Sequence, residues 1–142
     1  MNDQQAYVAM NISSLTEDPF TRMPTVILSD DDGTSRVAVG VGLREAAAIA
    51  AELRGIELER PGTHQLTCRL LEAAGARIER IEIIGGARGS HTARIVVVGP
   101  GEDGREVSQP ARCSDAIAIA LHAGIRPWVA VHQPVLAPRW RM

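Results

Sequence analysis

The chain contains no lysine: all 15 of its basic side chains are arginine. That excludes a lysine Schiff base or a lysine general base from this chain. It also makes every side-chain cation other than histidine a guanidinium, suited to two-pronged contacts with carboxylate or phosphate. Aromatic residues make up only 3% of the sequence, which leaves few stacking platforms for single-stranded nucleic acid. The net charge of -2 argues against a broad electrostatic footprint on nucleic acid, although it leaves room for a local basic patch. The two cysteines, Cys68 and Cys113, lack metal-ligand spacing and read as free, buried thiols. No apolar run approaches the length of a membrane span. The opening Met-Asn-Asp-Gln-Gln has neither the basic nor the apolar region of a signal peptide. The expectation is a soluble, cytoplasmic protein with no membrane partner.

The 142 residues and 45% hydrophobic content suit one domain with a real core. Strands are expected over 5–12, 25–29, 35–41, 77–84, 91–98, 105–111 and 127–131. Residues 13–23 and 85–89 read as a loop and a hairpin turn. Asp30-Asp31-Asp32-Gly33 reads as a turn; Asp is a favoured turn residue, and adjacent carboxylates point in different directions, so turn chemistry outweighs a metal site there. An alanine-rich helix opens at Gly42-Leu43-Arg44-Glu45 and ends at Gly55. A second runs from a Thr63 N-cap to Ala74, closed by Gly75. The fold class is α+β: a compact mixed domain with a largely antiparallel sheet and about three helices packed on it. Residues 1–24 supply an N-terminal strand and loop of the same domain, 25–135 its body and 136–142 a C-terminal tail.

The chain is organised around Arg112 to Gly124. Ser114 is expected to cap a helix, with Asp115 at its first position, where the dipole favours a carboxylate. Ala116 to Leu121 is apolar almost all round, which predicts burial on most sides. Two readings stay open for its polar start. Ser114 and Asp115 cap the helix while Arg112 pairs with Asp115, or all three face a pocket. His64 has the same ambiguity. It is either a hydrogen-bonded first-turn residue or a ring that can act as base or ligand.

The succession Glu45-Ala46-x-x-Ile49-Ala50, Arg60-Pro61-x-Thr63-His64-x-Leu66, Gly75-Ala76 and Arg112-x-Ser114-Asp115-Ala116-Ile117-Ala118-x-Ala120 resembles the bifunctional nuclease domain family over about residues 25–135. The resemblance implies a typically oligomeric domain and hydrolysis of RNA and DNA. It implies catalytic roles for His64, Asp115, Ser114 and Glu45, and substrate binding by Arg60, Thr63 and Arg112. Asp115 and Glu45 would hold magnesium or manganese. Two positions differ from the family's usual pattern. Gln65 stands where an acidic residue follows the histidine, which bears on a hard-cation site. Cys113 stands in place of proline, which puts a thiol at a helix start, where thiolate is favoured; the other reading is a small buried filler. The alternatives are a divergent enzyme acting on a small anionic substrate and a non-catalytic oligomeric binding or regulatory module.

Overall fold

The computed structural model describes residues 4–85, 90–101 and 104–133. It is α+β, with two sheets rather than one. The expected strand over 5–12 is two strands, β1 (Gln4–Ala9) and β2 (Asn11–Glu17), which join different sheets. Met10 is the switch point. Its side chain is fully buried, and its N–H donates to Pro127 O at 3.0 Å. Part of the expected loop over 13–23 is therefore strand. What remains of it turns on Asp18, whose Oδ1 accepts from the N–H groups of Phe20 and Thr21.

β2 pairs with β3 (Pro24–Ser29), and β3 with β4 (Arg36–Gly40), in an antiparallel three-stranded sheet. The aspartates between β3 and β4 go separate ways, as turn chemistry predicts. Asp30 accepts from Ser35 N–H and the Thr34 hydroxyl, while Asp31 meets Arg126 at 3.2 Å. The other sheet runs β1-β8-β5-β6-β7, with β5 (Arg77–Gly85), β6 (His91–Val98), β7 (Glu106–Arg112) and β8 (Trp128–Gln133). All its pairings are antiparallel except β5 with β8. The hairpin turn expected over 85–89 and the tail from 134 lie largely outside the described residues.

Three helices of eleven residues each complete the fold: α1 (Leu43–Leu53), α2 (Thr63–Ala73) and α3 (Cys113–Ala123). Ala116, Ile117, Ala118 and Ala120 of α3 are fully buried, in one core with Ile81, Ile83 and Val129 of the sheet and Ile49 of α1. Alanine along α3 lets neighbouring backbones come close, so the sheet, α1 and α2 all pack on it. Gly124, at φ 72, ends it as expected, and Ile125 N–H then donates to Ala120 O. The consequence for the site is positional: one buried helix fixes the others.

Candidate functional site

The first turns of the three helices carry the polar groups singled out from sequence, but not always in the expected roles. α3 begins at Cys113, two residues earlier than expected, and Arg112 holds the cap position without a side-chain cap bond. Ser114 therefore lies inside the first turn and does not cap. Asp115 sits a turn's depth in, with its carboxylate free to reach sideways. Thr63 is likewise the first residue of α2 rather than its cap; Gly62 holds that place, and Gln65 Oε1 accepts the Gly62 N–H at 3.4 Å. Glu45 lies in the first turn of α1. Gly42 leaves it room, because a Cβ there would run into the Glu45 carboxylate.

Arg112 grips Asp115 with a two-pronged contact. Its Nε–H donates to Oδ2 at 2.9 Å and Nη2 donates to Oδ1 at 3.1 Å. Nη2 also stands 3.4 Å from Glu45 Oε2. On the other side, His64 Nε2 lies 3.0 Å from Asp115 Oδ1. The Arg112 hydrogen bonds, helped by that from His64, hold the Asp115 carboxyl below its ordinary range. An ionised carboxylate has no proton to give, so His64 Nε2–H is the donor, which leaves the Nδ1 lone pair for chemistry. The side chain of His64 is 16% exposed, Asp115 31% and Arg112 68%. The chain Glu45–Arg112–Asp115–His64 thus links the first turns of three helices, with Arg112 its exposed member and Glu45 and His64 its more buried ends.

These residues line a half-open cavity of about 290 Å³ together with Thr63, Gln65, Arg44 and Glu52. The sequence reading missed Arg44 and Glu52. Glu52 could have been found, since it lies seven residues after Glu45, two turns along one helix face. Arg60 is exposed and does not line the cavity. Ser114 lines a different one, an open groove of about 1050 Å³ beside β6 and the end of β7. Its walls carry Arg94, Arg112 and His91, and no carboxylate among the described residues. Arg112 borders both spaces.

Of the two readings of Cys113, the structure supports the small buried filler over the thiolate. The side chain is buried, and burial alone pushes its thiol up to about 11; loss of water outweighs the helix dipole. Cys68 is also buried and free, and burial raises its thiol too. Gln65 has a role of its own. Its Nε2 donates to Glu52 Oε2 at 3.1 Å, and His122 Nδ1 lies 3.0 Å from that same oxygen. A carboxylate at position 65 could not supply this bond.

The arrangement does not fit a divalent ion. Glu45 and Asp115 are the pair that would hold magnesium or manganese, and the Arg112 guanidinium bridges them. Among the described residues no group of three or more histidines, cysteines, aspartates and glutamates is placed to hold a metal.

Residues 26–138 match the model of the bifunctional nuclease domain. The chain is also 33% identical over 114 residues to uncharacterized proteins of Mycobacterium tuberculosis, MT1877 in strain CDC 1551 and Rv1829 in strain H37Rv. Each match covers 80% of this chain and 65% of the relative, so the chain spans slightly less than two thirds of those proteins. No helix among the described residues is long and apolar enough to cross a membrane.

Proposed function

Because this chain belongs to the bifunctional nuclease domain family, we propose that its His64–Asp115–Arg112 site hydrolyses phosphodiester bonds of RNA and DNA. The observation that carries the reading is the 3.0 Å bond from His64 to an Asp115 that Arg112 already holds ionised. Asp115 orients the imidazole and balances the charge that forms on it, the division of labour seen wherever a carboxylate backs a histidine base. His64 Nδ1 takes a proton from the attacking water as that oxygen bonds to phosphorus. The bond from phosphorus to the leaving oxygen breaks, and that oxygen takes its proton from solvent. Arg112, mostly exposed at the mouth of the cavity, offers its remaining N–H groups to the phosphoryl oxygens. Thr63 and the backbone of the α2 first turn supply further donors. The carboxylate-free groove beside Arg112 and Ser114 offers a path for the flanking strand. No step here runs through a metal.

The size of the His64 cavity, about 290 Å³, favours a second reading, a small anionic phosphodiester as substrate. The third reading from sequence, a non-catalytic module, called for a buried Asp115 with no cavity. Asp115 is paired to Arg112, but it is partly exposed and lines one.

Purified protein is assayed on single-stranded RNA, single-stranded DNA and a small phosphodiester, with magnesium, manganese or EDTA, beside His64→Ala and Asp115→Asn. Cleavage of the polymers that both substitutions abolish is the expected result. Activity on the small substrate alone selects the second reading. A folded protein inert on all three sinks the catalytic proposal. The homo-oligomer implied by the resemblance is proposed with it: β7 is an edge strand, exposed along nearly its whole length, and offers unpaired backbone groups to a second copy. Sedimentation equilibrium tests it, and a monomer at all concentrations rejects it.

A further inference from the structure

Glu45, Asp115 and His64 reach toward one another from the first turns of three helices. Two carboxylates and an imidazole are ordinary ligands for a divalent transition metal. Their common centre is instead the Arg112 guanidinium, within 2.9 to 3.4 Å of both carboxylates. We infer that Arg112 is the resident cation of this ligand set, and that removing it opens a divalent-metal site that the natural chain does not form.

The geometry supports this in two ways. The guanidinium is a planar fork, and it uses two of its nitrogens on Asp115 while one of these also reaches Glu45; a spherical ion would have to sit in the same place. With Arg112 in place, no group of three or more histidines, cysteines, aspartates and glutamates among the described residues is arranged to hold an ion. Without Arg112, the Glu45 and Asp115 carboxylates would lose the guanidinium that bridges them. Arg44 is the other guanidinium on the cavity wall, and Glu52 adds a further carboxylate. The remaining charge there would be three carboxylates against one guanidinium, which favours uptake of a hard cation. This inference rests on the contacts alone and stands or falls separately from the hydrolase reading.

Manganese is the probe, because its paramagnetism broadens the NMR signals of nearby nuclei. It is titrated at neutral pH into the natural chain, Arg112→Gln, Arg112→Lys, and Arg112→Gln combined with Asp115→Asn. The natural chain and Arg112→Lys should show no saturable broadening at His64 and Asp115. Arg112→Gln should show it, with binding at least about tenfold tighter than the natural chain, since a unit charge at contact distance is worth more than that near a protein surface. The added Asp115→Asn change should abolish it. Arg112→Gln with a native amide spectrum and no binding overturns the inference. If Arg112→Gln does not fold, the natural chain decides: saturable manganese binding at His64 overturns the inference, and its absence, together with absence in a folded Arg112→Lys, supports it.

Discussion

The helical layer contains two histidine–carboxylate pairs at the same distance. His64 meets Asp115 at 3.0 Å, and His122 meets Glu52 at 3.0 Å. Both pairs join different helices and both are half-buried. They differ in what else holds the carboxylate. Asp115 is gripped by Arg112, a charged group at the mouth of the cavity. Glu52 is held by Gln65, a neutral amide that is itself tied to the start of α2. In the first pair the carboxylate stays ionised and the histidine borders a cavity. In the second, histidine and amide converge on one oxygen and clasp α1, α2 and α3 together, and His122 lines a separate cavity of about 300 Å³ beside Cys68, Glu72 and Arg77. A histidine beside a carboxylate is therefore no signature of catalysis; the carboxylate's other partner and the histidine's access to substrate separate a site from a strut.

The sharpest break of this comparison is to remove each ring in turn. His64→Ala should lower phosphodiester hydrolysis about 10²- to 10⁴-fold, the usual worth of a positioned base. His122→Ala should leave the rate within a few-fold and cost stability instead, about 1 kcal/mol for one lost hydrogen bond. Rates and urea midpoints measured on both variants test the claim. Equal losses of rate would erase the distinction between the two pairs.

That distinction was only half legible in the sequence. Site roles for Glu45, His64, Arg112 and Asp115 came from the resemblance to the family; their places at helix starts alone left the capping and first-turn readings open. Arg60 could not be separated from them, because whether an arginine beside a turn points inward depends on the loop path. His122 gave no signal, since its pairing with Glu52 depends on how three helices pack around α3. The fold shows the same division. The helices, most strands and the burial of Ala116 to Ala120 follow from local pattern. The split of 5–12 between two sheets does not, because Ala9-Met10-Asn11 carries no turn residue strong enough to mark it. Met10 is held there by tertiary contact with Pro127.

Gln65→Glu probes the strut more gently. The change is nearly isosteric and keeps an oxygen for the Gly62 N–H, but it replaces the amide donor by a second carboxylate facing Glu52. The expected loss is about 1–3 kcal/mol, from losing a hydrogen bond to a charged acceptor and setting a second carboxylate against Glu52, read from chemical denaturation. If stability is unchanged, the Gln65–Glu52 bond contributes nothing and the clasp reduces to His122 alone.

The Asp115 side has a pH signature. Arg112 holds the native Asp115 carboxyl below its ordinary value of 3.8. The sign follows from linkage: this contribution is fully present above that value and is lost as pH falls through the lowered native one. Arg112→Gln should flatten the acid limb of the stability curve in this window. At the alkaline end Cys113 acts in the opposite direction. Burial raises it from 9.0 to about 11, so its stabilising share is complete below about 9 and is lost as pH climbs through 11. Cys113→Ala should flatten that limb, and alkylation of Cys113 in the native protein at neutral pH should be slow compared with the unfolded chain.

The smallest effect is expected at Ser114, and it bears directly on how the site begins. A serine that caps a helix typically contributes about 1 kcal/mol when compared with alanine. Here the helix starts two residues earlier, no side chain caps it, and Ser114 faces the groove rather than the first-turn N–H groups. Ser114→Ala should therefore change stability by no more than about 0.5 kcal/mol. Its effect, if the groove carries a substrate strand, belongs in the KM for a polymer and not in the turnover of a small phosphodiester confined to the His64 cavity. A full cap's loss of stability would restore the capping role read from sequence. An unchanged midpoint with a weakened KM for the polymer would place Ser114 on the substrate's path, one wall away from the His64–Asp115 pair to which the hydrolysis is proposed to belong.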